Sequence, residues 1–224
     1  MATLVETRIH GAADHPLLDR LLALGFGLAE GWMHRRLGVH KRELFGGLSH
    51  TVLEIGAGTG ASFRYLRRGS HVVAVEPNVH AHERLRANAR RWGVTVDVRT
   101  AMAEALPLAT ESVENVIASL VLCTVQDPEQ ALREILRVLR PGGRLWCIEH
   151  VAATEGTPLA RVQRRLERGW SAVFGGCSVT RDTEALIRRA GFASVDVEHL
   201  TFRTLLAPVR PLVAVVARKA GPAA

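Results

Sequence analysis

The chain has 224 residues, of which 47% are hydrophobic, and its net charge is +7. This length favours one α/β domain with an added segment over two domains, and the apolar share is sufficient for a single large core. Nearly all of the positive charge comes from arginines spread over many predicted helices, which argues against the clustered basic face typical of nucleic-acid binding.

The three cysteines, Cys123, Cys147 and Cys177, lie far apart in the sequence. None belongs to a CxxC pair or lies near a histidine pair with zinc-ligand spacing, so we expect no metal ion. Free cysteines indicate a reducing, cytoplasmic location. The N-terminus lacks the pattern of a signal peptide, and its longest apolar run, at 21–29, is shorter than the ~20 residues of a membrane-spanning helix.

Residues 1–48 are predicted to form an N-terminal helical cap on a main domain at 49–224. Apolar residues between 15 and 37 recur at near-helical spacing, although three glycines in this segment weaken the pattern. Three interpretations are open: a helix packed on the sheet, a lid over the substrate site, or an interfacial helix that contacts a membrane.

Apolar runs that alternate with helical patterns follow. We predict strands at 52–55, 70–75, 94–98, 113–119 and 144–150, a helix start at 62–67, and helices at 79–91 and 128–139. Asn78 and Asp127 are expected to cap the last two helices. This alternation predicts a doubly wound, mostly parallel sheet, whose ligands bind beyond the carboxyl ends of the strands.

The last third of the sequence has a different pattern. Helices are predicted at 158–174 and 181–190, followed by strands at 193–200 and 212–218 with no helix between them. Such a pair is expected to be antiparallel and to lie at the sheet edge. The predicted fold class is therefore α/β, with a seven-stranded, mostly parallel sheet and an antiparallel last strand.

The first strand leads directly into Gly56-Ala57-Gly58-Thr59-Gly60. Glycine permits a sharp turn and a close approach of the backbone to a ligand. With Ala61 the stretch also satisfies the GxGxxG/A fingerprint, and Glu76 follows Gly56 by 20 residues, where an acid binds a ribose. NAD is therefore one candidate cofactor.

Glu54, two residues before the turn, favours S-adenosylmethionine instead. A carboxylate at this position would repel the pyrophosphate of NAD, whereas it would attract the ammonium and sulfonium groups of S-adenosylmethionine. The GxGxG spacing and the antiparallel final strands favour the same cofactor, whose product is S-adenosylhomocysteine. In addition, the only tyrosine is Tyr65, so the Tyr-x-x-x-Lys pair of many hydride-transfer enzymes is absent from this sequence.

Several motifs between residues 50 and 150 belong together: Val52-Leu53-Glu54-Ile55-Gly56-Ala57-Gly58-Thr59-Gly60, Glu76-Pro77-Asn78, Ala103-Glu104-Ala105-Leu106-Pro107 and Leu139-Arg140-Pro141-Gly142-Gly143. This set resembles the class I S-adenosylmethionine-dependent methyltransferases, in the type 11 group that includes quinone methyltransferases. Three further strings resemble the methyltransferase-like 7 thiol S-methyltransferases: Leu120-Val121-Leu122-Cys123-Thr124-Val125, Glu149-His150-Val151-Ala152-Ala153 and Gly176-Cys177-Ser178-Val179-Thr180-Arg181.

The resemblance implies methylation of a small molecule, with a thiol as the first choice of acceptor. A quinone, phenol, amine or phospholipid headgroup, methylated at oxygen, nitrogen or carbon, is the alternative. Two hypotheses for other functional classes stay open. The first is a catalytically silent module that binds a cofactor or nucleic acid, and the second is an NAD oxidoreductase. The sequence leaves the oligomeric state open.

Twelve residues are predicted to bind the cofactor: Glu54, Gly56, Ala57, Gly58, Gly60, Glu76, Pro77, Asn78, Ala103, Glu104, Ser119 and Leu120. Glu54 is expected to hold the amino group and Glu76 the ribose hydroxyls. By the resemblance, Ala103 and Glu104 form the turn that contacts adenine. Ser119 and Leu120 either line the cofactor or simply end a core strand.

Five residues are predicted to contact the acceptor: Cys123, His150, Trp170, Cys177 and Arg181. A thiol acceptor must react as a thiolate, and His150 is the candidate base that removes its proton. The alternatives are that His150 bonds to backbone, that the cysteines and Trp170 are apolar packing, and that Arg181 caps a helix.

Overall fold

The computed structural model describes residues 16–202, 204 and 206–222, with side chains from residue 31 onward. The α-helices of this part are α1 (Pro16–Phe45), α2 (His82–Trp92), α3 (Pro128–Val138), α4 (Pro158–Val173) and α5 (Thr183–Arg189). The strands are β1 (Thr51–Ile55), β2 (His71–Val75), β3 (Thr95–Arg99), β4 (Val113–Ser119), β5 (Leu139–His150), β6 (Ser194–Thr201) and β7 (Pro211–Arg218). Short 3₁₀ helices span Ala61–Tyr65, Val79–Ala81 and Ala207–Val209.

The seven strands form one sheet in the order β3-β2-β1-β4-β5-β7-β6. The first five strands pair in parallel, while β7 is antiparallel to both β5 and β6. The predicted fold class is confirmed. The predicted antiparallel pair is also present. Of these two strands, β6 alone lies at the sheet edge, because β7 inserts between β5 and β6 and is buried on both sides.

Alternate residues of the central strands supply two core layers, as expected for a sheet covered on both faces. On one face Leu53 and Ile55 pack in a cluster with Leu132 of α3 and Ile187 of α5. On the other face Val52 packs in a second cluster with residues of α1, α2 and the first 3₁₀ helix, namely Phe45, Leu85 and Phe63. Glu54 has the same parity as Val52, so it faces the α1 side of the sheet.

The predicted cap of α3, Asp127, is present, whereas Asn78 caps the short 3₁₀ helix Val79–Ala81 and not α2, which begins after Ala81 without a side-chain cap. Asn78 Oδ1 accepts from the His80 amide at 3.0 Å, and Asp127 Oδ1 accepts from the Gln130 amide at 2.9 Å. Gly93 ends α2 with a φ of 68°. The helix expected to start at 62–67 is instead one short 3₁₀ turn, because the chain becomes extended at Leu66 and must return to β2 at His71.

Strand β5 is longer than predicted. Residues 140–143, predicted as a turn before the strand, form an irregularity within it: Leu139 pairs with Val113, and regular pairing resumes between Arg144 and Asn115. The bulge adjusts the register without ending the strand.

The described end of α1 packs against the main domain. Leu37 and Phe45 are buried in the same cluster as Val52 and Phe63, and the Trp32 and Phe202 rings meet edge to face at 5.0 Å. This packing matches the first of the three interpretations for this part of the helix. The remainder of the predicted cap, residues 1–15 and the side chains of 16–30, lies outside the described residues, and the boundary at 48/49 stays a prediction. None of the described helices has the length and apolar character required to cross a membrane.

Candidate active site

The candidate site lies where four parallel strands end together. Strands β1, β2, β4 and β5 end at Ile55, Val75, Ser119 and His150, and their pairing brings these ends to one edge of the sheet. Parallel strands leave their carboxyl ends at a common edge, where α/β proteins bind ligands. Most of the predicted site residues lie in the segments that follow these ends.

The glycine turn after β1, residues 56–60, is shaped by positive φ angles. Gly56 has a φ of 56°, and a Cβ built there would lie 2.5 Å from Val121 Cγ2. At Gly58, where φ is 53°, an added Cβ would meet nothing nearer than the Gly56 carbonyl oxygen at 4.0 Å. Gly56 therefore allows close packing inside the protein, whereas Gly58 borders open space that a ligand can approach.

Glu76 ties the glycine turn to the end of β2. Its Oε2 accepts from the Gly58 amide at 2.7 Å, and its Oε1 accepts from the Asn78 amide at 2.8 Å. The carboxylate is 7% exposed, and burial raises its pKa above the usual value while these two amides oppose the rise. Each oxygen keeps capacity for another donor, as binding a ribose diol requires. Pro77 is exposed beside it, and Asn78 is half-buried.

Glu54 is a buried carboxylate with one unmatched oxygen. It is 2% exposed, and its Oε2 has no hydrogen-bond partner among the described residues. The pKa of Glu54 is raised from 4.5 to about 7, chiefly by burial and to a smaller extent by the charge of Glu76. A hydrogen bond with Ser62 and the charge of Lys41 oppose this rise. A buried carboxylate with a free oxygen and a second carboxylate nearby is best stabilised by a cation.

These features fit the expected cofactor on the cofactor side of the site. The unmatched Glu54 oxygen suits an ammonium group, Glu76 suits a ribose diol, and the open approach at Gly58 accommodates a ligand against backbone. Two neighbouring carboxylates are a poor site for an anionic pyrophosphate, so the same geometry disfavours NAD.

Ala103 and Glu104 lie in the segment between β3 and β4. Ala103 is buried in the apolar core. Glu104 Oε1 accepts from the amides of Gln126 and Asp127 at 2.9 and 3.2 Å, so its side chain fastens this segment to the start of α3. Their predicted contact with adenine, through backbone, stays a prediction.

The loop after β4, residues 120–125, is held by a residue that the sequence analysis missed. Glu149 is 0% exposed, and its carboxylate accepts from the amides of Val121, Leu122 and Cys123 at 2.9, 3.0 and 3.4 Å. Burial raises the pKa of Glu149, and the amides oppose the rise. An acid inside the otherwise apolar run Leu145–His150 was the available signal, because such an acid requires buried donors.

Arg181 holds the same loop from the other side. Its Nη1 donates to the carbonyl oxygens of Leu122 and Val125 at 2.6 and 2.8 Å. The structure thus gives Arg181 a positioning role, and its predicted contact with the acceptor stays a prediction. At the start of the loop Leu120 adopts a φ of 61°, which is uncommon for a non-glycine residue, and the buried Ser119 Oγ has no hydrogen-bond partner among the described residues.

Four predicted acceptor-side residues meet in what we call the sulfur–histidine cluster, formed by Cys123, His150, Trp170 and Cys177. His150 Nε2 lies 3.0 Å from Cys177 Sγ, and Trp170 Nε1 donates to the same sulfur at 3.2 Å. The sulfur of Cys123 lies within 4.8 Å of both Cys177 Sγ and the imidazole. Trp170 also stacks on Phe174, with ring centroids 4.2 Å apart, which fixes the indole.

The two sulfurs of the cluster differ in acidity. A hydrogen bond from the Cys123 thiol lowers the pKa of Cys177 most, burial opposes it, and contacts with His150 and Trp170 lower it further, to about 5. The same Cys177 contact, together with burial, raises the pKa of Cys123 well above its usual value. The surroundings therefore favour ionisation of Cys177 over ionisation of Cys123.

The imidazole of His150 is correspondingly polarised. With Cys177 ionised, Nε2 carries the proton of the bond to sulfur. Nδ1 is buried and has no hydrogen-bond partner among the described residues, so it is left as a proton-accepting atom.

The cluster is also a donor set that a metal ion could use, which the sequence spacing did not indicate. The Nε2–Sγ distance of 3.0 Å is shorter than the about 3.5 Å between nitrogen and sulfur ligands of one tetrahedral zinc ion. A direct hydrogen bond describes this contact better.

Comparison with known proteins places this chain among methyltransferases. The profile of a family described as a methyltransferase domain matches residues 53–147. Thiol S-methyltransferase TMT1A of Homo sapiens is 35% identical over 182 residues, covering 76% of this chain and 75% of the relative. Thiol S-methyltransferase TMT1B of Rattus norvegicus is 36% identical over 176 residues, covering 74% and 72%.

A solved structure extends the similarity to the fold. The S-adenosylmethionine-dependent methyltransferase of Thermotoga maritima, described as a possible histamine N-methyltransferase, superposes with a TM-score of 0.64. It is 25% identical, and the match covers 90% of this chain and 99% of that structure.

Proposed function

Because this chain belongs to the class I S-adenosylmethionine-dependent methyltransferase family, we propose that it transfers the methyl group to the sulfur of a small-molecule thiol. The cofactor is S-adenosylmethionine, which supplies a methyl group activated by its sulfonium. Glu54, Glu76 and the glycine turn are the residues proposed to hold it. The names of the relatives at 35–36% identity support a thiol as acceptor.

The observation that carries the proposal is the state of His150. A thiol ionises with a pKa of ~8.5, so near neutral pH a base must remove its proton. His150 offers a buried, unmatched Nδ1, while its Nε2 is held by the Cys177 sulfur at 3.0 Å. We assign Nδ1 as the atom that accepts the proton of the acceptor thiol.

Cys177 and Trp170 act through His150. The Cys177 thiolate orients the imidazole and stabilises its protonated form, much as a carboxylate does beside a catalytic histidine. Trp170 in turn keeps Cys177 ionised by donating its indole N–H. Both are therefore proposed as positioning residues, while Cys123 is proposed to line the acceptor side.

A reducing compartment suits this assignment. The three cysteines are free thiols, and the proposed chemistry requires Cys177 to stay reduced. We therefore propose a cytoplasmic location, where thiols persist.

The test compares a small thiol with its hydroxyl analogue, using labelled S-adenosylmethionine and a panel that includes phenols and amines. We expect label on the thiol and none on the alcohol, because an alcohol is far less acidic. Preferred methylation of a phenol, amine or quinone would replace the thiol proposal by the alternative acceptors. Calorimetric titration with S-adenosylmethionine and NAD separates this question from cofactor identity.

A further inference from the structure

The two sulfurs of the sulfur–histidine cluster are held side by side by the backbone. The Ser178 amide donates to the Cys123 carbonyl oxygen at 2.8 Å, so the segments that carry Cys123 and Cys177 are neighbours. The two Sγ atoms lie within 4.8 Å of each other. A disulfide requires the two sulfurs to approach to about 2.05 Å, so its formation brings the two side chains closer together.

The pair is chemically unequal in the way that oxidation by a peroxide requires. Two N–H groups, from Trp170 and His150, contact the Cys177 sulfur and favour its thiolate, which is the form that peroxides attack. Cys123 keeps its proton and lies within reach as the second thiol. Cys177 is also the more accessible of the two, at 8% exposed against 1%.

The third cysteine provides a contrast inside the same chain. Cys147 lies on β5 and is 0% exposed, and burial raises its pKa well above the usual value. It shares neither the N–H donors nor a neighbouring thiol among the described contacts. It is therefore a matched internal control for a buried, unactivated thiol.

We propose that Cys177 and Cys123 form a redox switch, in which a hydroperoxide oxidises Cys177 and Cys123 then completes a disulfide that turns the enzyme off. With hydrogen peroxide as the oxidant, the Cys177 thiolate attacks one peroxide oxygen, breaks the O–O bond and becomes a sulfenic acid. The other oxygen leaves as hydroxide, which becomes water by taking from solvent the proton that Cys177 released on ionising. The Cys123 sulfur then displaces the sulfenic oxygen, which leaves with the Cys123 proton as a second water. Two thiols and one peroxide thus yield one disulfide and two waters, and an external dithiol reverses the change.

The disulfide removes the group on which His150 depends. Once bonded to Cys123, the Cys177 sulfur carries no charge, so it no longer stabilises a protonated imidazole. The bond also pulls on the loop at 120–125, which Glu149 and Arg181 hold in place. This effect on activity rests on the proposed role of His150, whereas formation of the disulfide does not.

The experiment treats the full-length wild-type protein with hydrogen peroxide at low molar excess and maps each cysteine by mass spectrometry after differential alkylation. In the untreated protein we expect Cys177 to react with the alkylating reagent faster than the other two cysteines. After peroxide treatment we expect a Cys123–Cys177 disulfide, while Cys147 stays a thiol. Dithiothreitol should restore both thiols. In Cys123→Ala, a dimedone adduct should trap the sulfenic acid at Cys177.

Methyl transfer is measured on the same samples. We expect a loss of roughly a hundredfold on disulfide formation, the contribution typical of a positioned proton acceptor, and full recovery with dithiothreitol. Equal oxidation of Cys147, oxidation of Cys177 without a disulfide, or tightly bound zinc in equimolar amount would each overturn the redox switch. A disulfide that leaves turnover unchanged would instead overturn its regulatory role and the assigned role of Cys177, but not thiol methylation as such.

Discussion

The two halves of the site are built in different ways. The cofactor half, Glu54, the glycine turn at 56–60 and Glu76, comes from one continuous stretch and uses buried carboxylates. The acceptor half is the sulfur–histidine cluster, which joins Cys123, His150, Trp170 and Cys177 from three separate segments. A cationic cofactor needs fixed negative charge, whereas a neutral thiol needs a base that can change its charge. The difference in chemistry matches the ligand that each half is proposed to bind.

The largest effect is expected at Glu149, whose carboxylate supports the loop between the two halves. Replacement by alanine leaves three buried amides without an acceptor, and we expect a loss of about 3 kcal/mol or more in the free energy of unfolding. Urea denaturation measures this. Glu198→Ala on the exposed edge strand β6 is the control and should change stability by less than about 0.5 kcal/mol. Equal effects at the two positions would refute the role of Glu149.

Glu54→Gln breaks the cofactor half alone. The amide keeps the shape but loses the charge opposite the cofactor ammonium, so we expect S-adenosylmethionine affinity to fall roughly a hundredfold. Titration calorimetry gives the dissociation constant, with Glu198→Gln as the matched control. Unchanged affinity would show that the cofactor amino group lies elsewhere.

His150→Ala breaks the acceptor half alone. Turnover should fall by roughly a hundredfold, whereas cofactor affinity should change little, because His150 is proposed to act on the acceptor and not on the cofactor. His71→Ala, at the exposed amino end of β2 on the opposite edge of the sheet, is the control. If the His150 variant retains turnover across the pH range, the histidine is not the base.

The buried carboxylate of Glu54 in the cofactor half should make the stability of the protein depend on pH. The pKa of Glu54 is about 7 in the folded protein and 4.5 in the reference state. Between these values the unfolded chain releases a proton that the folded protein keeps, so this group makes the protein less stable as pH rises from 4.5 to 7. Without cofactor, Glu54→Gln should therefore be more stable than wild type at pH 8, by about 1–3 kcal/mol, and no more stable at pH 4. A pH-independent difference in urea denaturation would contradict the assigned pKa.

The smallest effect is expected from Trp170→Phe. Phenylalanine keeps the stacking on Phe174 but loses the N–H donor to Cys177, so the pKa of Cys177 should rise above about 5. We expect turnover at pH 6 to fall by roughly threefold, with recovery at higher pH as the thiolate re-forms. Trp92→Phe is the control, because the Trp92 indole N–H has no hydrogen-bond partner among the described residues. A uniform loss at all pH values would indicate a packing role alone.

The sequence by itself determined the sheet and the cofactor half. Period-2 and period-3.6 apolar patterns locate the strands and helices, and local geometry requires glycines and an acid within a few residues of one another. Glu54 distinguishes a cationic from an anionic ligand because its charge acts on whatever binds the adjacent turn. The order of β6 and β7 and the bulge in β5 depended on pairing between distant segments, which short-range patterns do not encode.

Only the tertiary structure decided the acceptor half. Cys123, His150 and Cys177 were candidates individually, but their spacing gave no sign that two sulfurs, an imidazole and an indole would share one buried volume. Acidity depends on that shared volume. The contact between the two cysteines lowers the pKa of Cys177 and raises that of Cys123, the His150 and Trp170 contacts lower the pKa of Cys177 further, and burial adds to the rise at Cys123. Glu149 and Arg181 acquired their positioning roles for a similar reason, since their partners are backbone groups that the fold alone brings within reach.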